Sequence, residues 1–193
     1  MNITDLVNYF TIAGALATIV ATIIALLAFI NWRRQQEYSL QLGLLLDLED
    51  KFIIYIMQNI ADFNAFWLAS KCIRDNQDAE KYAVNDAINK HFSETLDKEK
   101  SSKAHFEMSL SLIRAERMIP IVKDKCPSIV EDVENLQKKY INISNEESSL
   151  KYYLEDIFKK RTDFLNILAC ERDAMKKSLF KRVSCFWQDK FNC

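Results

Sequence analysis

The sequence predicts an all-α chain, with one N-terminal transmembrane helix followed by a cytoplasmic helical bundle whose last helix is long. Three observations predict it. Among 193 residues only two are Gly and two are Pro, and a chain so poor in both supplies few turns and favours long helices. From Leu6 to Trp32 no side chain is charged. Beyond that run, apolar residues recur at the three- and four-residue spacing of helices that pack on one side.

The N-terminal element is read first. About 20 apolar residues cross a hydrocarbon core of roughly 30 Å, and Phe10–Ile30 is long enough. A cleaved signal peptide fits poorly, because MNITDLVNYF has Asp5 as its one charged side chain where a positive region is needed. Residues 1–9 are therefore expected to form a short external N-terminus, 10–32 a retained transmembrane helix, and 33–193 the cytoplasmic domain. Arg33 and Arg34 set this orientation: they follow the run, no Lys or Arg precedes it, and basic flanks stay on the cytoplasmic side. In a bacterium the membrane would be the inner one.

The run is also sorted by size. Gly14, Thr18, Ala21, Ala25 and Ala28 are spaced to line one side of a helix with small residues, while Ile12, Leu16, Ile19, Ile23, Leu26 and Ile30 line the opposite side. Lipid gives helices no hydrophobic reason to pair, so small residues that allow close approach are the usual means. A homo-oligomer assembled through this helix is the expected consequence, with the lipid bilayer as the first partner.

The rest reads as four or five helices. The first shows Leu42, Leu46, Ile53, Ile56, Ile60, Phe63 and Trp67 on one side, with Glu49 as the interruption and with Tyr55 and Asn59 away from it. With no Pro at the junction, it is expected to continue from the span. Its part Phe52–Ser70 carries one charge, Asp62, at a cost of about 2.5–3.5 kcal/mol in a bilayer. A bundle helix is the reading, and a second membrane segment is the alternative. A second helix would carry Tyr82, Ala87, Ile88 and Phe92, and a third Phe106, Leu110, Ile113 and Arg117, ending near Met118 because Pro120 disfavours helix before it. Ser128 with Glu131 writes a capping box after Pro127, and Ser144 with Glu147 another. The latter opens the long C-terminal helix along Leu150, Leu154, Ile157, Phe164, Leu168 and Met175, a stripe for a bundle face or a coiled coil that Arg161 and Arg172 interrupt.

Little in this inventory points to catalysis. No Gly-rich phosphate loop, HExxH or CxxC can be written, and the near-neutral charge builds no global field for nucleic acid. Cys72, Cys126, Cys170, Cys185 and Cys193 are an odd set of five, read as reduced thiols in a cytoplasmic domain. His91 and His105 belong to no nucleophile motif. The expectation is a non-enzymatic protein with no catalytic residue, no metal and no cofactor.

The segment 175–191 is basic and aromatic: Lys176, Lys177, Lys181, Arg182 and Lys190 alternate with Phe186 and Trp187. Such a helix can lie on an anionic membrane surface, each Lys or Arg contributing roughly 1 kcal/mol. A packed helix with a basic outer side is the other reading. Together, ATIIALLAFINWRR, the following helices and this tail give a plan that resembles the small transmembrane effectors of bacterial antiviral systems, of the retron and abortive-infection kind. The resemblance is one of architecture and carries over no binding residue. It implies an effector held by partners until infection and then turned on the membrane. The alternative function is a membrane-anchored scaffold or receptor stalk that recruits a cytoplasmic protein partner.

Overall fold

A computed structural model describes residues 3–75, 86, 98–142 and 149–191. Every element in them is helical: α1 (Ile3–Asp75), α2 (Lys98–Met118), α3 (Pro120–Asn142) and α4 (Ser149–Phe191). The chain forms two compact units, Met1–Leu40 and Gln41–Cys193. The all-α expectation holds, with a long N-terminal apolar helix, a helical bundle and a long last helix. Tyr82, Ala87, Ile88, Phe92, His91 and the Ser144–Glu147 box lie outside the described residues.

Within the second unit, contacts between helices set an up-and-down order. Lys51 meets Glu107 at 2.6 Å and Asp47 accepts from Ser111 at 2.7 Å, so α1 and α2 run antiparallel. Asp132 with Lys160 and Tyr140 with Asp156 align α3 against α4 in the same sense. Phe52 stacks on Phe164 with centroids 3.7 Å apart, and Phe63 stacks on Tyr153 at 3.9 Å, which returns α4 to α1. The described helices form a four-helix bundle whose α1–α4 seam is built on stacked aromatic side chains.

The α2–α3 corner follows from its residues. Ile119 alone separates the two helices; its N–H donates to the Ala115 carbonyl at 2.9 Å and its side chain is buried. Pro120 then opens α3, where its missing N–H costs nothing and its fixed φ suits the first turn. The expected end near Met118 is found. The expected start at Ser128 is not: α3 runs through Pro127, and the Ser128 hydroxyl donates back to the Lys125 carbonyl at 2.9 Å instead of capping. Val122, Cys126, Ile129, Val133 and Tyr140 are buried along one continuous face. Burying that face outweighs the roughly 3 kcal/mol that an interior Pro costs.

Two apolar stripes differ from expectation. The buried side of α1 is Leu45, Leu48, Phe52, Tyr55, Ile56, Asn59 and Phe63, whereas Leu46 is exposed. In α2 the core takes Ala104, Met108, Ser111, Leu112 and Ala115, while Phe106 and Ile113 face outward. LGLLLDLEDKFIIYIM is apolar on more than one side, so its period alone does not choose the face. The segment Phe52–Ser70 packs one side into the core and exposes Ile54 and Met57 on the other, and half-buried Asp62 accepts hydrogen bonds from Gln58 at 2.9 Å and Ser101 at 2.7 Å. The two interruptions answer each other: Arg172 donates to Glu49 at 2.8 Å across 123 residues of chain. On α4, Tyr153, Ile157, Phe164 and Leu168 are buried in the bundle.

Candidate membrane helix and polar cleft

The N-terminal part of α1, from Val7 onward, is long and apolar enough to cross a membrane, with a mean hydropathy of 2.5 and no burial within the chain. Its polar side chains are handled internally. The hydroxyls of Thr11, Thr18 and Thr22 each donate to the carbonyl four residues earlier, at 2.8 to 2.9 Å. A hydroxyl bonded this way is already satisfied and can face hydrocarbon without the cost of an unmet hydrogen bond.

Gly14, Thr18, Ala21, Ala25 and Ala28 are all exposed. A Cβ built on Gly14 meets nothing within 4 Å, so the glycine is not required by any contact inside the chain. Arg33 pairs with Glu37 at 3.2 Å on the surface, and Arg34 is exposed beside it. Phe29 and Trp32 lie close, with ring centroids 6.0 Å apart. In the tail Lys176 and Lys177 are exposed on α4, whose backbone stays helical to Phe191. The side chains of Lys181, Arg182, Phe186, Trp187 and Lys190 lie outside the described ones.

Sequence spacing missed a second feature. A cleft of about 500 Å³ opens between α1, α2 and α3, lined by Tyr55, Asp62, Ser101, His105, Glu134 and Lys138 among others. Most of its polar groups are engaged with each other: Asp62 holds Gln58 and Ser101, and His105 Nε2 lies 3.1 Å from Glu134. The hydrogen-bond partner of the His105 ring among the described residues is thus the Glu134 carboxylate. The cleft ties three helices together. On the α1–α4 side, Trp67, Leu150, Leu154 and Phe158 line an apolar groove of about 530 Å³, and the Trp67 indole N–H is buried without a partner.

Burial gives the bundle a pH dependence. It pushes the Tyr55 phenol up to about 12, helped by nearby Glu134 and opposed by Asn59, and it raises Tyr153 as well. Burial, with Glu116 nearby, also pushes the Cys126 thiol up to about 12. Each group is neutral when protonated and ionises at a higher pH folded than unfolded. Above the unfolded values, near 8.5 for Cys and 10 for Tyr, the unfolded chain binds fewer protons, so stability falls as pH rises. Chemical denaturation of the full chain in detergent micelles is expected to show a midpoint that is flat near neutrality and declines steadily between about pH 9 and pH 12. A flat profile there would place these side chains in water.

No protein-family model matches the chain, and no curated protein and no solved structure matches it either.

Proposed function

We propose that the chain is a single-pass membrane protein that works without enzymatic chemistry, through contacts its helices make with each other and with lipid. The supporting observation is the N-terminal part of α1, apolar and unburied, with its threonine hydroxyls bonded to its own backbone. The N-terminus lies outside and the bundle in the cytoplasm, by the flanking Arg33 and Arg34. Copies associate through Gly14, Thr18, Ala21, Ala25 and Ala28, and the associated spans perturb the bilayer, as an effector of bacterial antiviral defence of the abortive-infection type would.

The test is expression of the full chain from a tightly controlled promoter, with growth and a membrane-potential dye followed together. The variant Ala21→Leu, Ala25→Leu is run beside it at matched abundance in the membrane. The wild type is expected to depolarise cells and the variant to spare them. Depolarisation by both would remove the small-residue face from the mechanism.

A second reading has its own support in the open apolar groove of Trp67, Leu154 and Phe158, a surface of the kind an amphipathic helix of another protein covers. In that case the chain is an anchored scaffold or receptor stalk for a cytoplasmic protein, and neither form depolarises cells. Exchanging the span for an unrelated one would then preserve function.

A further inference from the structure

The apolar stripe that the spacing of α2 assigns to the core faces outward. Phe106 is 66% exposed and Ile113 47%, with half-buried Leu110 between them at one-turn intervals. The core side of the same helix is filled by smaller or polar residues, among them Ala104, Ser111 and Ala115. Exposing a Phe and an Ile on one helix face while burying Ser111 is costly for a surface that only meets water.

From Lys103 to Arg117 the exposed charges on this face share one sign, with exposed Glu99 one turn before them. Lys103, Arg114 and Arg117 are exposed, flanking the apolar residues. The acids of α2 between them are turned elsewhere. Glu107 is half-buried and bonded to Lys51 at 2.6 Å, with its second oxygen 4.0 Å from the still exposed Lys103. Lys51 holds the Glu107 carboxyl below its usual range, so it stays ionised and paired. Glu116 is half-buried, close enough to the buried Cys126 of α3 to act on its thiol. From Lys103 to Arg117 the outer face of α2 is thus apolar and cationic.

We infer that this face is a membrane-surface contact: Phe106, Leu110 and Ile113 enter the headgroup boundary of an anionic leaflet while Lys103, Arg114 and Arg117 meet lipid phosphates and carboxylates. The cationic flanks select the occupant, because a stripe of this kind on a convex helix needs no shaped partner and a soft anionic surface meets both its parts. The inference rests on the anchored reading above, since a tethered domain meets lipid at high local concentration.

The experiment uses the full chain reconstituted in vesicles of phosphatidylcholine, with or without phosphatidylserine, carrying a trace of photoactivatable phospholipid. Cross-linked peptides are mapped by mass spectrometry. With phosphatidylserine present, lipid is expected on the span 7–32 and on 103–117. The variant Lys103→Gln, Arg114→Gln, Arg117→Gln, and separately Phe106→Asn, should carry about tenfold fewer cross-links on 103–117, with unchanged labelling of the span. These side chains are exposed, and circular dichroism checks that each variant remains helical. Lipid on the span with none on 103–117 overturns the inference and leaves the face to a protein. Equal labelling of 103–117 in phosphatidylcholine alone also overturns it, because charge would then play no part. Lipid on neither segment would overturn the anchored reading itself.

Discussion

Replacing Phe164 with alanine lowers the stability of the bundle by about 3–5 kcal/mol, the range for removing a fully buried aromatic side chain. Phe164 of α4 is fully buried and stacked on Phe52 of α1, which is also fully buried. About three turns further along α1, Phe63, Tyr153 and Tyr140 form a second aromatic group, with Tyr140 edge-on to both partners. The void left by truncation would be walled by rigid rings and helix backbone, which relax little, so the cost belongs at the upper part of the range. Phe164→Leu keeps most of the volume and should cost only about 1.5 kcal/mol. Urea unfolding of the full chain in micelles, followed by circular dichroism, compares the two. A loss under about 1 kcal/mol for the alanine variant would mean that the α1–α4 stack is not the centre of the core.

Removing one member of the Glu49–Arg172 pair should cost about half as much, and removing both less still. Their side chains are 24% and 27% exposed, so water reaches the pair but does not fully solvate it. Arg172→Leu strands the Glu49 carboxylate between α1 and α4, at an expected cost of about 2 kcal/mol, below the 3–5 of a fully buried pair. The double variant Glu49→Leu, Arg172→Leu puts apolar side chains at two positions that interrupt otherwise apolar stripes, and should recover most of that loss. A cycle of the two single variants and the double one measures the coupling directly. Additive losses would show that the 2.8 Å contact contributes nothing of its own.

This pair also shows why part of the bundle could be read in advance and part could not. Glu49 and Arg172 each look like a flaw in a hydrophobic pattern when their own helix is considered alone. Their separation of 123 residues conceals that each compensates the other. The polar cleft has the same character, since Asp62, Ser101, His105 and Glu134 come from three helices and form no motif along the chain. Tyr55 and Asn59, set outside the apolar stripe of α1 on spacing alone, are buried: the Asn59 amide donates to the Tyr55 carbonyl at 2.8 Å, and the Tyr153 hydroxyl reaches the Asn59 carbonyl at 3.2 Å. Asn59 satisfies its amide one turn back in its own helix, whereas the Tyr153 hydroxyl finds its acceptor across 94 residues of chain, a partner that spacing does not show.

What the sequence determined by itself is local. The scarcity of Gly and Pro, the charge-free run, its small and bulky sides, and the helix end before Pro120 all depend on side chains within a turn or two, and the structure is helical accordingly. What only the tertiary structure decided is which side of each helix turned inward. The apolar residues of α1 and α2 offer more than one such side; stacking of Phe52 and Phe63 against α4 selected one in α1, and the pairing of Asp47 and Lys51 with Ser111 and Glu107 turned Phe106 and Ile113 outward in α2. Helix formation is governed by neighbours along the chain, whereas the choice of buried face is governed by shape and hydrogen-bond partners that meet only when the chain has folded.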